Sequence, residues 1–114
     1  MTLLLGKQFT LTFDQCSETF INDPEQIIQS VTAVAIESKL TILKTAEHRF
    51  EPQGLTYILV LSQSHMIVHT WPEYRIMVAD VFVCTPDFDV DFLAQALRSV
   101  SGADRVEKAS VFER

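Results

Sequence analysis

The middle of the chain holds three strand-like segments with very short connections between them. Leu55–Leu61, Ser64–Trp71 and Ile76–Cys84 are rich in β-branched and aromatic residues, which favour strands. Two residues separate the first pair of segments and four separate the second pair. A parallel pair would need a crossover of roughly a dozen residues, so these strands must pair antiparallel. The sequence therefore predicts a sheet with an antiparallel meander at its centre.

Further strands flank this meander. Lys7–Phe13 alternates apolar and polar residues, the period-two pattern of a strand with one buried face. Leu40–Phe50 is predicted to be a second strand, followed by a turn at Glu51–Gly54 that contains both Pro and Gly. Arg105–Phe112 is predicted to be the last strand.

Two helices are predicted, each with recognisable ends. The first begins after the capping residue Asp23, has Pro24 at its first position and ends near Lys39. The second begins after Asp89 and is closed by Gly102. Both helices carry apolar residues at helical spacing. These residues are Ile27, Ile28, Val31, Val34 and Ala35 in the first helix, and Phe92, Leu93, Ala96, Leu97 and Val100 in the second.

The order of elements is strand, helix, a run of strands, helix, strand. We therefore expect one α+β domain over residues 1–114, a two-layer sandwich of a mainly antiparallel sheet with two helices on one face. The other face carries polar residues such as Thr10 and Thr12. It must be solvated, hold a ligand or meet another subunit.

Composition narrows the class of protein. The net charge is −6 and the nine Lys and Arg residues are scattered, which argues against a nucleic-acid-binding surface. No apolar run is long enough for a signal peptide or a membrane span. Cys16 and Cys84 do not make the disulfide framework of a small secreted domain. We therefore expect two reduced thiols in a cytoplasmic protein.

The segment Ser64–Glu73 is unusually dense in reactive groups for a strand. It contains a hydroxyl, two imidazoles, an indole and a carboxylate. His65 and His69 are about 13 Å apart on a regular strand, too far to share one metal ion. A serine or cysteine hydrolase is a further possibility, although no Gly-x-Ser-x-Gly motif is present. The plainest alternative is that these are ordinary strand residues and Cys84 a small core side chain.

Three blocks of sequence resemble the prokaryotic S-adenosylmethionine decarboxylase family. They are Ser64-His65 with His69-Thr70-Trp71-Pro72-Glu73, the upstream His48–Gly54, and the downstream Asp80–Cys84. Their order and spacing match the family over 50–84, and the resemblance extends more weakly from Gly6 to about Val111.

The resemblance implies that the protein makes its own cofactor. The Ser64 hydroxyl would attack the carbonyl of Gln63, and elimination would then divide the chain into residues 1–63 and 64–114. Ser64 would become a pyruvoyl group, whose carbonyl forms a Schiff base with the substrate amine and accepts electrons when CO2 leaves. No metal is implied.

Other roles carry over at matching positions. The resemblance makes His69 the base in processing and Cys84 the proton donor to the substrate carbon. Thr56 stands where the family has a serine that assists processing. Phe50 matches an aromatic residue that stacks on adenine, and Glu73 is assigned a polar role in substrate binding.

The chain also departs from the family pattern near these residues. Gln63 replaces the usual glutamate before the scissile serine. The remaining departures are Gln8 for histidine, Thr12 for an acidic residue, Tyr57 for glycine, and Arg75 within Tyr74–Ile76. Tyr57 is expected to add bulk close to the site, and Arg75 would favour a smaller or more anionic ligand if it points inward.

The leading hypothesis is a pyruvoyl-dependent S-adenosylmethionine decarboxylase that supplies aminopropyl groups for spermidine synthesis, working as a homodimer of cleaved protomers. Two alternatives stay open. One is the same cofactor acting on another amine such as ornithine or arginine, and the other is an unprocessed homologue without catalytic activity.

Overall fold

The computed structural model describes residues 5–113, with side chains described as far as residue 109. Its elements follow one another along the chain without a long loop. The strands are β1 (Lys7–Asp14), β2 (Ile42–Arg49), β3 (Leu55–Leu61), β4 (Ser64–Trp71), β5 (Ile76–Val83) and β6 (Arg105–Glu113). The helices are α1 (Glu18–Ile21), α2 (Pro24–Glu37) and α3 (Val90–Ser101), and Pro72–Tyr74 forms one 3-10 turn.

All the strands form one six-stranded sheet in the order β2-β3-β4-β5-β1-β6. Every pair is antiparallel, and for the central pairs β3-β4 and β4-β5 the short connections predicted this. The fold is therefore α+β, as expected, and the meander β3-β4-β5 lies at its centre. Strand β1 pairs between β5 and β6, which places the two ends of the described chain side by side.

The two faces of the sheet differ in what covers them. On one face the side chains are almost fully buried against the helices, for example Leu11, Val68 and Ala79, which are 0% exposed. These residues lie opposite one another across neighbouring strands. On the other face, hereafter the open face, the side chains are only partly buried. The members of the open face used below are Gln8, Thr10, Thr12, Thr56, Ile58, His65, Ile67, His69, Val78, Asp80 and Phe82.

The helix ends form where the sequence predicted them. Asp23 accepts a hydrogen bond from the backbone N–H of Gln26 at 3.1 Å, and Asp89 accepts one from Phe92 at 3.0 Å. Gly102 closes α3 with φ of +69°, a conformation that glycine adopts without steric cost. Helix α2 ends at Glu37, slightly before the predicted position.

Two predictions about the helices were incomplete or wrong. The four-residue α1 was not predicted, because a single turn is too short to show a helical period. Phe92 and Val100 were expected to be buried, but they are 47% and 38% exposed. Ala94 and Val90 occupy the buried side of α3 instead. Helical spacing indicates that α3 has an apolar face, but it locates the centre of that face only to within about one residue.

Candidate functional site

The start of β4 brings three reactive groups together. Leu61 pairs with Ser64, so only two residues turn the β3–β4 hairpin. Strand β5 lies on the other side of β4, and its end brings Cys84 beside Ser64. The Cys84 backbone N–H donates to Ser64 Oγ at 3.2 Å, and Cys84 Sγ contacts the carbonyl oxygen of Gln63 at 2.6 Å.

This arrangement, hereafter the serine cluster, is defined by Gln63, Ser64 and Cys84. A cavity of about 480 Å³ opens beside the cluster. Ser64 and Cys84 are both partly exposed, so a reactant can approach them. The cluster brings together the Ser64 hydroxyl, the Cys84 thiol and the Gln63 carbonyl. This carbonyl belongs to the acyl group that would move onto the hydroxyl in an acyl shift. The Cys84 thiol is therefore close to any group that is formed at residue 64.

A second group of side chains lies toward the other end of β4. Thr56 and His69 face each other across β3 and β4, and Thr56 Oγ1 is 3.1 Å from His69 Nδ1. This hydrogen bond fixes the orientation of the imidazole ring. Both residues line a cavity of about 290 Å³ together with Phe50 and Glu73. These four residues are hereafter called the histidine cluster.

The histidine cluster also has aromatic walls. Phe50 is 49% exposed and packs edge-on against His48, with ring centroids 4.6 Å apart. Trp71 is 42% exposed, lines the same cavity and lies beside the His69 ring at a centroid distance of 6.0 Å. Exposed aromatic faces around a polar cleft suit a flat, partly apolar ligand. Sequence reasoning proposed Phe50 for stacking but did not single out Trp71, whose alternation with His69 was the available signal.

The two clusters are far apart within one chain. His69 follows Ser64 by five residues on a regular strand, which separates them by about 17 Å along β4. Within one chain, therefore, the imidazole of His69 does not reach the Ser64 hydroxyl. The resemblance placed both residues at one site, whereas the structure places them in two separate clusters on the same strand.

Tyr57 was expected to add bulk close to the site, and this expectation was wrong. Tyr57 is 3% exposed on the helix-covered face, and its hydroxyl hydrogen-bonds Thr32 Oγ1 of α2 at 2.7 Å. Alternation along β3 sends it away from Thr56 and the open face. The tyrosine therefore fills the core between the sheet and α2.

Arg75 also has a structural position. It adopts the left-handed conformation with φ of +55° at the end of the 3-10 turn. Its Nε donates to the backbone oxygen of Cys16 at 2.8 Å, while its own carbonyl accepts from the Cys16 N–H at 2.9 Å. These two bonds fasten the β4–β5 turn to the β1–α1 connection. Arg75 accordingly makes no contact with either cluster among the bonds described.

Two further departures, Gln8 and Thr12, do lie on the open face. Gln8 Nε2 donates to Asp80 Oδ1 across β1 and β5, which gives this partly buried carboxylate a partner. Thr12 lies opposite Val78, the residue that also pairs with His69. The Gln8–Asp80 pair was not predicted as a unit, because β1 and β5 are adjacent only through the strand order.

The two cysteines have contrasting surroundings. Cys16 is 0% exposed, and burial raises the pKa of its thiol from an ordinary 9.0, although hydrogen bonds and Arg75 oppose the change. Cys84 is partly exposed and belongs to the serine cluster. Both thiols are free. Of the two, only Cys84 is placed to take part in chemistry.

No helix within residues 5–113 is long and apolar enough to cross a membrane. Among the described side chains, which are those of residues 5–109, no group of three or more His, Cys, Asp or Glu is arranged to hold a metal ion.

Comparisons with known proteins identify a single family. The sequence model of the S-adenosylmethionine decarboxylase family matches residues 7–114. A protein of Thermosipho africanus named S-adenosylmethionine decarboxylase proenzyme is 34% identical over 99 residues, which cover 83% of this chain and 76% of that protein. Its namesake in Thermotoga petrophila is 34% identical over 102 residues, covering 90% and 78%. The namesake in Pseudomonas paraeruginosa is 37% identical over 98 residues, covering 86% of this chain but 59% of the longer relative.

A solved structure shares the whole architecture. The crystal structure of the adenosylmethionine decarboxylase from Aquifex aeolicus superposes with a TM-score of 0.86, covering 99% of this chain and 92% of that one at 22% identity. Fold and matches together define a two-layer α+β protein of the decarboxylase type. The chain belongs to the S-adenosylmethionine decarboxylase family.

Proposed function

We propose that this protein is a pyruvoyl-dependent decarboxylase, a carboxy-lyase that acts on S-adenosylmethionine after cleaving itself between Gln63 and Ser64. The observation that carries the proposal is the serine cluster, in which Ser64 Oγ and the Gln63 carbonyl lie against Cys84. A hydroxyl next to the carbonyl of its own peptide bond is the reactant pair that self-cleavage needs. The decarboxylated product would serve as an aminopropyl donor for spermidine synthesis.

The first chemical step uses only groups of the serine cluster. Ser64 Oγ adds to the carbonyl carbon of Gln63, and the C–N bond then breaks as the hydroxyl proton passes to the nitrogen, which leaves an ester and a free amine on Ser64. Negative charge develops on the Gln63 oxygen during the addition, and the Cys84 thiol touches this oxygen. A donor at this position stabilises the developing charge.

The second step needs a base. Removal of the Ser64 α-proton expels the Gln63 carboxylate and separates residues 1–63 from residues 64–114. Water then replaces the nitrogen of residue 64, which leaves as ammonia, and a pyruvoyl group remains. We assign the base to His69, whose ring is oriented by the hydroxyl of Thr56. The pyruvoyl carbonyl supplies the electron sink for loss of CO2.

Because His69 is about 17 Å from Ser64 in its own chain, the base must come from a second copy. We therefore propose a homodimer in which the open faces of two sheets pack together. A two-fold axis through the middle of β4 would set the serine cluster of one copy over the histidine cluster of its partner. Apolar side chains on the open face, Ile58, Ile67, Val78 and Phe82, support burial of this face.

The same dimer would divide the remaining catalytic and binding roles between its two copies. Cys84, beside Ser64, would return a proton to the substrate carbon after CO2 leaves. Phe50 and Glu73 of the partner subunit would hold the adenosyl part of the substrate through a ring face and a carboxylate. With both thiols free, the cytoplasm is the compartment that keeps Cys84 reduced.

Two measurements test the proposal. Intact mass of the purified protein should show fragments of residues 1–63 and 64–114, the second beginning with a pyruvoyl group, while Ser64→Ala stays whole. A persistently uncleaved wild-type chain would contradict the proposal. Released CO2 should then be measured with S-adenosylmethionine, ornithine and arginine in parallel. Turnover of ornithine or arginine in preference to S-adenosylmethionine would leave the proposed pyruvoyl cofactor standing. It would refute S-adenosylmethionine as the substrate.

A further inference from the structure

The residue that precedes the scissile serine has an unfavourable backbone conformation. Gln63 has φ of +58°, in the left-handed region, although it carries a full side chain. For residues other than glycine this region is disfavoured by roughly five- to thirty-fold in population. Two-residue hairpin turns that need positive φ usually contain Gly or Asn, but this turn is Ser62-Gln63.

Contacts on both sides hold the turn in this conformation. The Ser62 N–H donates to the Thr41 carbonyl at 3.1 Å, which ties the turn to the chain before β2. On the other side Cys84 contacts the Gln63 oxygen and donates to Ser64 Oγ. The Gln63 side chain is exposed. Because its described contacts are those of the backbone, the conformation is imposed by the chain around it.

We propose that the left-handed conformation of Gln63 is strain that the self-cleavage step releases, so that it accelerates the shift of the Gln63 acyl group onto Ser64. The inference rests on the proposed function. When the ester forms, the C–N bond of the scissile peptide breaks and the Cβ and Oγ of Ser64 become part of the main chain. The link between the Gln63 carbonyl carbon and the Ser64 Cα grows from one atom to two, because Oγ and Cβ replace the nitrogen, and Gln63 is freed to leave the left-handed region. Strain present in the reactant and relieved along the reaction lowers the barrier.

The test replaces the strained residue by one that is comfortable there. Gln63→Gly removes the steric cost of positive φ and should slow cleavage by roughly five-fold or more. Gln63→Ala removes the same exposed side chain but keeps the Cβ that causes the cost, so it should cleave at a rate close to wild type. The measurement is the rate of chain cleavage in freshly refolded protein, followed on denaturing gels.

A matched control exists elsewhere in the chain. Gln15 is also an exposed glutamine in the left-handed region, with φ of +54°, and it lies outside both clusters. In a Ser64→Ala background, Gln15→Gly and Gln63→Gly should both raise the urea midpoint of unfolding. In the cleavable chain only Gln63→Gly should slow cleavage. Added hydroxylamine, which cleaves the ester directly, should leave the difference between Gln63→Gly and wild type in place if the acyl shift is the slowed step.

The outcomes separate the inference from the function it rests on. Equal or faster cleavage by Gln63→Gly in a background where wild type cleaves would overturn the inference and leave the proposed function intact. Equal slowing by Gln63→Ala would overturn it too, because the side chain rather than the backbone would then matter. Absence of cleavage in wild type would overturn both.

Discussion

At the scale of single residues, neighbours on β3 have opposite surroundings. Thr56 faces His69 across the open face, whereas Tyr57 is buried beneath α2. Both side chains end in a hydroxyl with one described partner. Their removal should therefore have different consequences, chemical in the first case and structural in the second.

We predict that Thr56→Val slows self-cleavage by about ten-fold or more, because the His69 ring loses the hydrogen bond that orients it. Valine keeps the shape of threonine, so the change isolates the hydroxyl. Thr56→Ser keeps the hydroxyl and should cleave close to the wild-type rate. Cleavage rates measured by gel densitometry test this prediction. Equal rates for Thr56→Val and Thr56→Ser would refute the assignment of Thr56.

Tyr57→Phe is the matched variant one residue away. It deletes the hydroxyl bound to Thr32 and should lower the free energy of unfolding by about 1 kcal/mol. Cleavage and decarboxylation should be unchanged, because the side chain points away from both clusters. A clear effect on turnover would mean that Tyr57, which stands where the family usually has glycine, does act at the site.

The buried thiol of Cys16 predicts a particular dependence of stability on pH. Its pKa is raised in the folded state, so above the ordinary value of 9.0 the unfolded chain loses a proton that the folded chain retains. The contribution of this thiol to stability is therefore complete below pH 9 and falls as the pH rises further. Urea unfolding of the uncleavable Ser64→Ala chain, with and without Cys16→Ala, isolates this contribution.

At neutral pH, Cys16→Ala should cost about 1 kcal/mol, because it leaves a small void in the core. The two curves should approach each other as the pH rises above 9. A gap that stays constant above pH 9 would show that the thiol titrates alike in both states.

At the scale of elements, the local signals in the sequence were sufficient for most of the fold. Short connections forced antiparallel pairing, and Asp23, Asp89 and Gly102 marked the helix ends that the structure shows. Alternation along β3, with Leu55 and Leu59 buried, would also have placed Tyr57 on the covered face. The pairing of β1 with β5 could not be predicted in this way, because it depends on the order of the strands in the sheet and not on a local sequence pattern.

The cap of α3 lies at the end of the loop that follows Cys84. Asp89→Ala removes the acceptor for the Phe92 N–H and should lower the free energy of unfolding by about 1 kcal/mol. Asp89→Ser restores an acceptor and should recover most of the loss. Urea unfolding in the Ser64→Ala background measures both, and equal stability of all three chains would contradict the capping role.

At the scale of the whole molecule, the length of β4 keeps Ser64 and His69 apart, as the strand predicted over Ser64–Trp71 already implied. Sequence reasoning grouped Ser64 with His69 because both belong to one resembled block, yet a strand extends about 3.4 Å per residue. The homodimer was expected from the small size of the chain, its open sheet face and the resemblance to the family. The structure adds an argument for the proposed dimer, since the serine cluster and the histidine cluster of one chain lie about 17 Å apart along β4.

This separation predicts complementation between two inactive variants. Ser64→Ala retains the histidine cluster, and His69→Ala retains the serine cluster. Each alone should cleave poorly or not at all. Co-expressed, they form mixed dimers in which Ser64 of one copy faces His69 of the other, so one site in each mixed dimer is complete.

With random pairing, about half of the His69→Ala chains enter mixed dimers and should be cleaved, while the Ser64→Ala chains remain whole. Distinct affinity tags on the two variants allow their fragments to be identified by mass. A double variant that carries Ser64→Ala and His69→Ala, co-expressed with His69→Ala, is the matched control and should give no rescue. If the two single variants together cleave no more than each does alone, the site does not combine Ser64 and His69 from different copies, and His69 loses its place as the base.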